Sequence, residues 1–261
     1  MKRDLLLSAL CLIGLLSCKS QYDMVLESSD VDLKYNTAFE YFNKGKYVKA
    51  AELFESLTML TSGTERDDTV QYYWGLSNYS SKDYYTAEAN FRQFLSTYPQ
   101  SPFAESAEFM RIDCLYKATL RYELDQTPTY TAMSAISQYL IEHPDGANAD
   151  LCRHMLEDLG ERLDRKAYEN AKLYYKMEDY KAARVAFKNV LKDDADNIYR
   201  EEILYYSAMS SYKYAEMSVK NKQKERYMVF LDDYLNFVGE YPESSYRKEL
   251  DGLYSKVKEK I

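Results

Sequence analysis

The 261-residue sequence predicts an all-α fold, a solenoid of about five stacked helix pairs followed by a C-terminal helix. Three observations carry that expectation. The phrase Tyr-x-x-Ala-x-x-x-Phe occurs as Tyr47-Ala50-Phe54, Tyr84-Ala87-Phe91 and Tyr180-Ala183-Phe187. A second phrase, two large residues three apart and then Pro, occurs as Phe91-Phe94-Pro99, Ile136-Tyr139-Pro144 and Tyr234-Phe237-Pro242. Finally, 8 Gly and 5 Pro are too few for the tight turns of an all-β fold, while 46% hydrophobic residues supply a core.

The elements follow in chain order. Ala and Phe four apart share one helix face, the small residue admitting a neighbouring helix and the ring filling the gap beside it. Ala50, Phe54, Ala87, Phe91, Ala183 and Phe187 are therefore read as repeat-packing residues. Each copy follows a polar break: Lys44-Gly45-Lys46, Ser81-Lys82-Asp83 and Met177-Glu178-Asp179. Pro99, Pro144 and Pro242 end helices, because Pro cannot continue one and biases its predecessor away from helical angles. The resulting units are 32–62, 68–102, 103–145, 147–196 and 198–243, with a final helix in 244–261. In the third and fifth units the Ala/Phe pair becomes Ala132/Ile136 and Phe230/Tyr234. The clearest insertion is 123–129. No Gly/Ser/Pro-rich linker interrupts 30–261, which reads as one continuous array.

These residues resemble the tetratricopeptide repeat. The first copy supplies Ala38, Tyr41, Ala50 and Phe54, the second Trp74-Gly75, Ala87, Phe91 and Pro99, the fourth Ala171, Tyr174, Ala183 and Phe187. The resemblance implies a right-handed superhelix whose inner groove is lined by the first helix of each pair. The usual period is about 34, and the second-helix residues at 54, 91, 136, 187 and 234 are all spaced more widely, so helices or connections are extended. Transferred by register, the groove wall is Tyr35, Phe39 and Phe42, then Tyr72, Leu76 and Tyr79. Aromatic walls suit an extended peptide. Most of the 28 tyrosines are read instead as packing between repeats, with the hydroxyl reaching the surface.

At the N-terminus, Lys2 and Arg3 precede an apolar run over 5–16 broken by Ser8 and Gly14, the architecture of a signal peptide. It ends in Leu15-Leu16-Ser17-Cys18, which resembles the lipobox of bacterial lipoproteins. That resemblance implies cleavage after residue 17 and a covalent lipid on Cys18, with 18–29 a flexible tether. A plain signal peptide with a chance Cys is the alternative. One acyl chain binds a membrane marginally and two bind stably, so a fully acylated Cys18 would be a permanent anchor. Losing Lys2, Arg3 and Asp4 takes the net charge from −8 to −9. So acidic a chain lacks the basic footprint of a nucleic-acid binder.

No catalytic chemistry is legible. His143 stands before Pro144, where Tyr98 and Tyr241 stand in the sister copies, and reads as a packing or capping position; His154 is alone in its helix. Neither has a partner at metal-ligand spacing, so no metal is expected. Nucleophile elbows and phosphate loops are missing from the sequence. Asp193-Asp194, Glu201-Glu202 and Asp232-Asp233 read as solvated helix faces. Cys11 would leave with the leader, while Cys114 and Cys152 read as small buried hydrophobes rather than a disulfide. The sequence thus describes a non-enzymatic protein with no cofactor beyond the lipid on Cys18.

Over its whole mature length the chain resembles the BamD (YfiO) family, lipoproteins of the outer-membrane β-barrel assembly machine. The likeness rests on Cys18 closely followed by an array of this length, on Ala38-Phe39-Glu40-Tyr41-Phe42-Asn43-Lys44-Gly45-Lys46-Tyr47 with Ala50-Ala51-Glu52-Leu53-Phe54, and on Phe94-Leu95-Ser96-Thr97-Tyr98-Pro99-Gln100-Ser101-Pro102 with the later Asp125-Gln126-Thr127. It implies residence on the periplasmic face of the outer membrane. It implies two partners: a BamA-like barrel assembly subunit, held by the C-terminal repeats, and unfolded outer-membrane protein precursors, received by the N-terminal groove. The fourth-unit ending Asp193-Asp194-Ala195-Asp196 and Phe230 in place of Ala depart from the pattern. A lipoprotein binding glycan or peptidoglycan is the alternative, although Trp74 is the sole Trp and stands at a packing position. A periplasmic hydrolase would need a nucleophile and base that the sequence does not pair.

Overall fold

The computed structural model describes residues 20–260, and among them every regular element is an α-helix. The expected leader 1–17 and Cys18, the expected site of acylation, lie outside the described residues. The chain divides into two compact units rather than one array. The first runs to Thr119 and includes Ile141–Pro144; the second is Leu120–Leu140 with Asp145–Ile261. The inserted connection after Thr119 falls in the second unit. Lys166 Nζ donates to the carbonyls of Tyr122 and Leu124 at 2.9 and 2.8 Å, and the Arg165 guanidinium sits 4.4 Å above the Tyr122 ring. The connection is thereby bound to the second unit.

The first unit contains α1 (Gln21–Glu27), α2 (Val31–Asn43), α3 (Tyr47–Thr61), α4 (Asp67–Ser80), α5 (Tyr84–Thr97) and α6 (Ala104–Lys117). Helix α1 corrects the expected flexible tether over 18–29. Ser20 and Asp23 form a capping box, each accepting from the other's backbone N–H. Tyr22 and Val25 are buried, and the Tyr22 hydroxyl donates to Glu52 on α3. A cap at one end and two buried side chains three apart suffice to order a helix too short to stand alone.

Helix α7 (Thr127–Glu142) belongs to the second unit up to residue 140. The second unit continues with α8 (Ala149–Lys176), α9 (Tyr180–Asp193), α10 (Arg200–Glu216), α11 (Lys220–Glu240) and α12 (Arg247–Lys258). Each of the three prolines that punctuate the sequence stands two residues beyond a helix end, after Thr97, Glu142 and Glu240.

The repeated phrase has one local structure. Tyr47, Tyr84 and Tyr180 each open a helix, and the residue two before each has positive φ: Gly45 at 70°, Lys82 at 68° and Glu178 at 63°. Both hydrogen bonds of a Schellman motif recur. Gly45 N donates to Phe42 O and Lys46 N to Tyr41 O, and the same pairs form at Lys82/Asp83 and Glu178/Asp179. Asp83 and Asp179 then cap the following helices by accepting from Thr86 N and Ala182 N, both at 3.1 Å. Across each turn two rings meet edge-on: Phe42–Tyr47, Tyr79–Tyr84 and Tyr175–Tyr180, with centroids 5.4, 5.5 and 5.4 Å apart.

Ala50, Phe54, Ala87, Phe91, Ala183 and Phe187 are fully buried. Gly75 shows why a small residue must face the ring: a Cβ there would lie 2.9 Å from Phe91 Cε1.

A second recurrent contact joins successive pairs. The residue at the N-cap of one first helix lies flat on a ring of the preceding first helix. Phe103 stacks on Tyr72 at 4.6 Å, Tyr199 on Tyr168 at 4.7 Å and Tyr246 on Tyr205 at 4.3 Å. In the first unit the Arg66 guanidinium takes the same place over Tyr35, at 4.8 Å. The tyrosine after Tyr72 or Tyr205 reaches back instead, Tyr73 to Phe54 at 6.0 Å and Tyr206 to Phe187 at 5.9 Å.

Lys82→Gly and Glu178→Gly should each raise the free energy of unfolding by about 1 kcal/mol in urea denaturation, because a β-carbon is strained at positive φ. Gly75→Ala should lower it by about 1–3 kcal/mol through overpacking against Phe91. Burial pushes the phenols of Tyr79, Tyr98, Tyr175, Tyr212 and Tyr234 up to about 12 from an ordinary 10.0. The folded state favours the neutral phenol, so this stabilisation is complete below pH 10 and disappears as pH climbs towards 12. Tyrosinate absorbance in the native protein should correspondingly rise later than in the urea-unfolded chain.

Candidate functional site

The first-unit groove wall is built on α2 and α4. Tyr35, Phe39 and Phe42 project from one side of α2 and remain half-buried. Tyr35 leans on Phe39 with centroids at 4.9 Å, and Phe39 meets Tyr73 at 4.7 Å. Phe42 meets Tyr73 at 5.3 Å. Tyr73 is thus the hub of a continuous aromatic layer, a residue the register transfer did not include. Its signal in the sequence was the Tyr72-Tyr73 pair, whose second member returns to the preceding repeat.

Tyr72 corrects the expected wall. It is buried against Phe91, Phe94 and Phe103, and its hydroxyl pairs with Ser106 Oγ at 2.8 Å. The stacked N-cap ring covers it, which a register argument about one helix cannot foresee. Leu76 and Tyr79 are half-buried. The Tyr79 hydroxyl donates to Asp113, whose carboxylate also takes Lys117 Nζ at 2.9 Å. Lys117 lies 5.7 Å from the Tyr79 ring and 6.0 Å from that of Tyr84. Burial and then the Asp113 carboxylate hold the Tyr79 phenol neutral. The wall therefore offers aromatic faces with a fixed hydroxyl and one ammonium at its α6 side. Trp74 packs half-buried on the first-unit core and forms no open platform.

The second unit carries the same register on α8 as Tyr168, Lys172 and Tyr175. Lys172 Nζ donates to the Tyr168 hydroxyl at 2.8 Å and lies 4.8 Å above the Tyr206 ring. A cleft of about 630 Å³ opens between α7, α8 and α9, with Met133, Leu163, Ala167 and Val190 on its apolar side and Asp164, Asp193 and Asp194 on its lip. Burial, then the facing Asp194 and Glu161 carboxylates, hold the Asp164 carboxyl above the usual range, opposed by the Ile198 N–H at 3.0 Å. Sequence reasoning missed this cleft, because its acids come from two helices that pair only in the fold.

Asp233 corrects the reading of Asp232-Asp233 as a solvated face. It is 4% exposed and receives Arg184 Nε at 2.7 Å, Lys188 Nζ at 3.2 Å and the Ser211 hydroxyl. His143 pairs with Glu108 at 3.2 Å, and Glu142 brings a third possible ligand atom within 4.8 Å of both. Cys114 and Cys152 are buried. Burial pushes Cys114 up to about 12, far from thiolate reactivity.

Known proteins align with this chain over most of its length. It is 22% identical over 182 residues to the outer membrane protein assembly factor BamD of Caulobacter vibrioides, covering 70% of this chain and 60% of that relative. It is 24% identical over 207 residues to the factor of the same name in Rickettsia prowazekii, covering 78% and 82%. Among solved structures, the TPR2AB domain of yeast Sti1, in a pHSP90 complex, aligns at 13% identity with a TM-score of 0.39, covering 87% of this chain and 98% of that one. The family model described as YfiO, outer membrane lipoprotein, matches residues 28–229, a span holding all three copies of the first phrase, two of the three of the second, the groove wall and the inserted connection. Matched over most of its length, the chain belongs to the YfiO family of outer membrane lipoproteins.

Proposed function

We propose that this protein is a non-catalytic assembly factor for outer-membrane β-barrel proteins. It would be held to the periplasmic face of the outer membrane by a lipid on Cys18. Its first unit would receive extended segments of unfolded barrel precursors, and its C-terminal repeats would hold a BamA-like barrel assembly subunit. The names borne by the relatives from Caulobacter and Rickettsia support the assembly role. The observation that carries the groove assignment is the division of labour among aromatic residues. The repeated Ala/Phe pairs are sealed in the core, whereas Tyr35, Phe39, Phe42, Leu76 and Tyr79 stay half-open on first helices.

An unfolded strand offers alternating apolar side chains and unpaired backbone groups. Half-open rings cover the former with little loss of side-chain entropy, since each has only two torsions to fix. The Tyr79 hydroxyl and Lys117, both held on Asp113, stand beside the layer as polar contacts for the latter. No bond is made or broken. Release requires only that the strand find better partners in a growing barrel.

Tyr35→Ala combined with Leu76→Ala should reduce photo-crosslinking to an unfolded barrel precursor by on the order of tenfold, measured at a temperature where circular dichroism shows the variant folded, since losing the Arg66 contact lowers its melting temperature. Unchanged crosslinking with both side chains removed would refute the groove assignment. Depletion of the protein should lower many β-barrel proteins together in the outer-membrane proteome. Loss of growth on one polysaccharide alone would favour glycan binding instead.

A further inference from the structure

One end of the second unit is basic although the chain carries a net charge of −8. Helix α10 finishes there, α11 begins and α12 finishes. Lys220, Lys222 and Lys224 on α11 are exposed, as are Lys256, Lys258 and Lys260 at the close of α12. Packing brings the two sets together. Val257 shares a buried cluster with Tyr227 and Ala215, and Lys260 Nζ lies 5.4 Å above the Tyr227 ring. The carboxylates at this end are Glu216, Glu225 and Glu259, of which Glu225 pairs with Lys222 at 3.0 Å and Glu216 with Lys213 at 3.6 Å. At the tip of the α10–α11 turn, Met217 and Val219 are 66% and 67% exposed.

Folding does not account for this arrangement. The first turn of α11 has no acid and carries cations at the positive end of the helix dipole, where they are unfavourable. Two large aliphatic side chains left in water beside them add a second cost. Both costs are recovered against a surface that is anionic outside and apolar beneath.

We propose that this tip docks on an anionic phospholipid surface, with the lysine ammoniums among headgroup phosphates and Met217 and Val219 entering the acyl boundary. Lysine stems lie along apolar surface while their heads stay in the polar layer, which suits such a boundary. An acidic protein partner fits less well. Protein interfaces favour aromatic residues, methionine and arginine and are depleted in lysine; Met217 suits either surface, but here six lysines are exposed while Tyr227 is buried and Arg226 covers the Tyr214 ring at 4.0 Å. The contact is additional to any lipid on Cys18 and would set the orientation of the second unit at the membrane.

The test uses the full chain bearing V219W, compared with its parent, whose single indole is Trp74. With vesicles of phosphatidylcholine and phosphatidylglycerol, the added emission should shift to the blue and resist iodide quenching. It should remain in water on pure phosphatidylcholine, however the N-terminus attaches. K220E/K222E/K224E in the same background should abolish the shift, since each lysine near an anionic surface multiplies affinity roughly fivefold. An indole that stays quenched on anionic vesicles overturns the proposal, and so does a shift that survives the three reversals. If polyglutamate moves the emission and anionic vesicles do not, the tip binds acidic protein and the lipid assignment fails.

Discussion

Within each unit, successive helix pairs are fastened by a flat contact between a turn residue and a ring on the preceding first helix. Phe103, Tyr199 and Tyr246 make it with Tyr72, Tyr168 and Tyr205, and Arg66 makes it with Tyr35. Everything else in the repeats depends on this spacing. It places the second tyrosine of each doublet against the previous Phe, and in the first unit it leaves a layer of rings around Tyr73 at the surface. A planar partner is required, and a guanidinium is planar. At Arg66 it is also held by Asp32 at 2.6 Å, and Tyr35 beneath it is more open than its buried counterpart Tyr72.

The abundance of tyrosine follows from the same geometry. A phenol can bury its ring between repeats and still place its hydroxyl on a polar group of the next helix. Tyr79 reaches Asp113 in this way, Tyr72 reaches Ser106 and Tyr205 reaches Glu249. Phenylalanine in those places would fill the gap but leave the neighbouring carboxylate or hydroxyl unanswered. The price is a set of interfaces that hold only while the phenols are neutral.

Much of the fold was legible because it repeats. Tyr-x-x-Ala-x-x-x-Phe located helix starts to the residue, since a Schellman turn, a cap and a ring pair act within eight positions. Pro located helix ends for equally local reasons. What was not legible is long-range or spatial. The seating of the inserted connection depends on Lys166 and Arg165 reaching back to Tyr122 across more than one helix. The order in residues 21–27 depends on a seat for Tyr22 that exists only once α3 has formed. Half of the groove assignment was readable, because helix register fixes which side a residue faces. Whether it is covered depends on what the next turn lays over it, and Tyr72 differs from Tyr35 on that point alone.

Asp233 has a consequence for how the second unit comes apart. Stacked helix pairs ordinarily fray from their ends, because each pair touches only its neighbours and local openings cost little. Arg184 and Lys188 stand on α9, Ser211 on α10 and Asp233 on α11, and a carboxylate 4% exposed cannot be stranded without its partners. Opening either flank therefore leaves an uncompensated charge inside the other, which ties three consecutive helices into one cooperative step. Hydrogen exchange in α9, α10 and α11 would then report a single opening energy, a block of uniform rigidity within an architecture that is elsewhere graded.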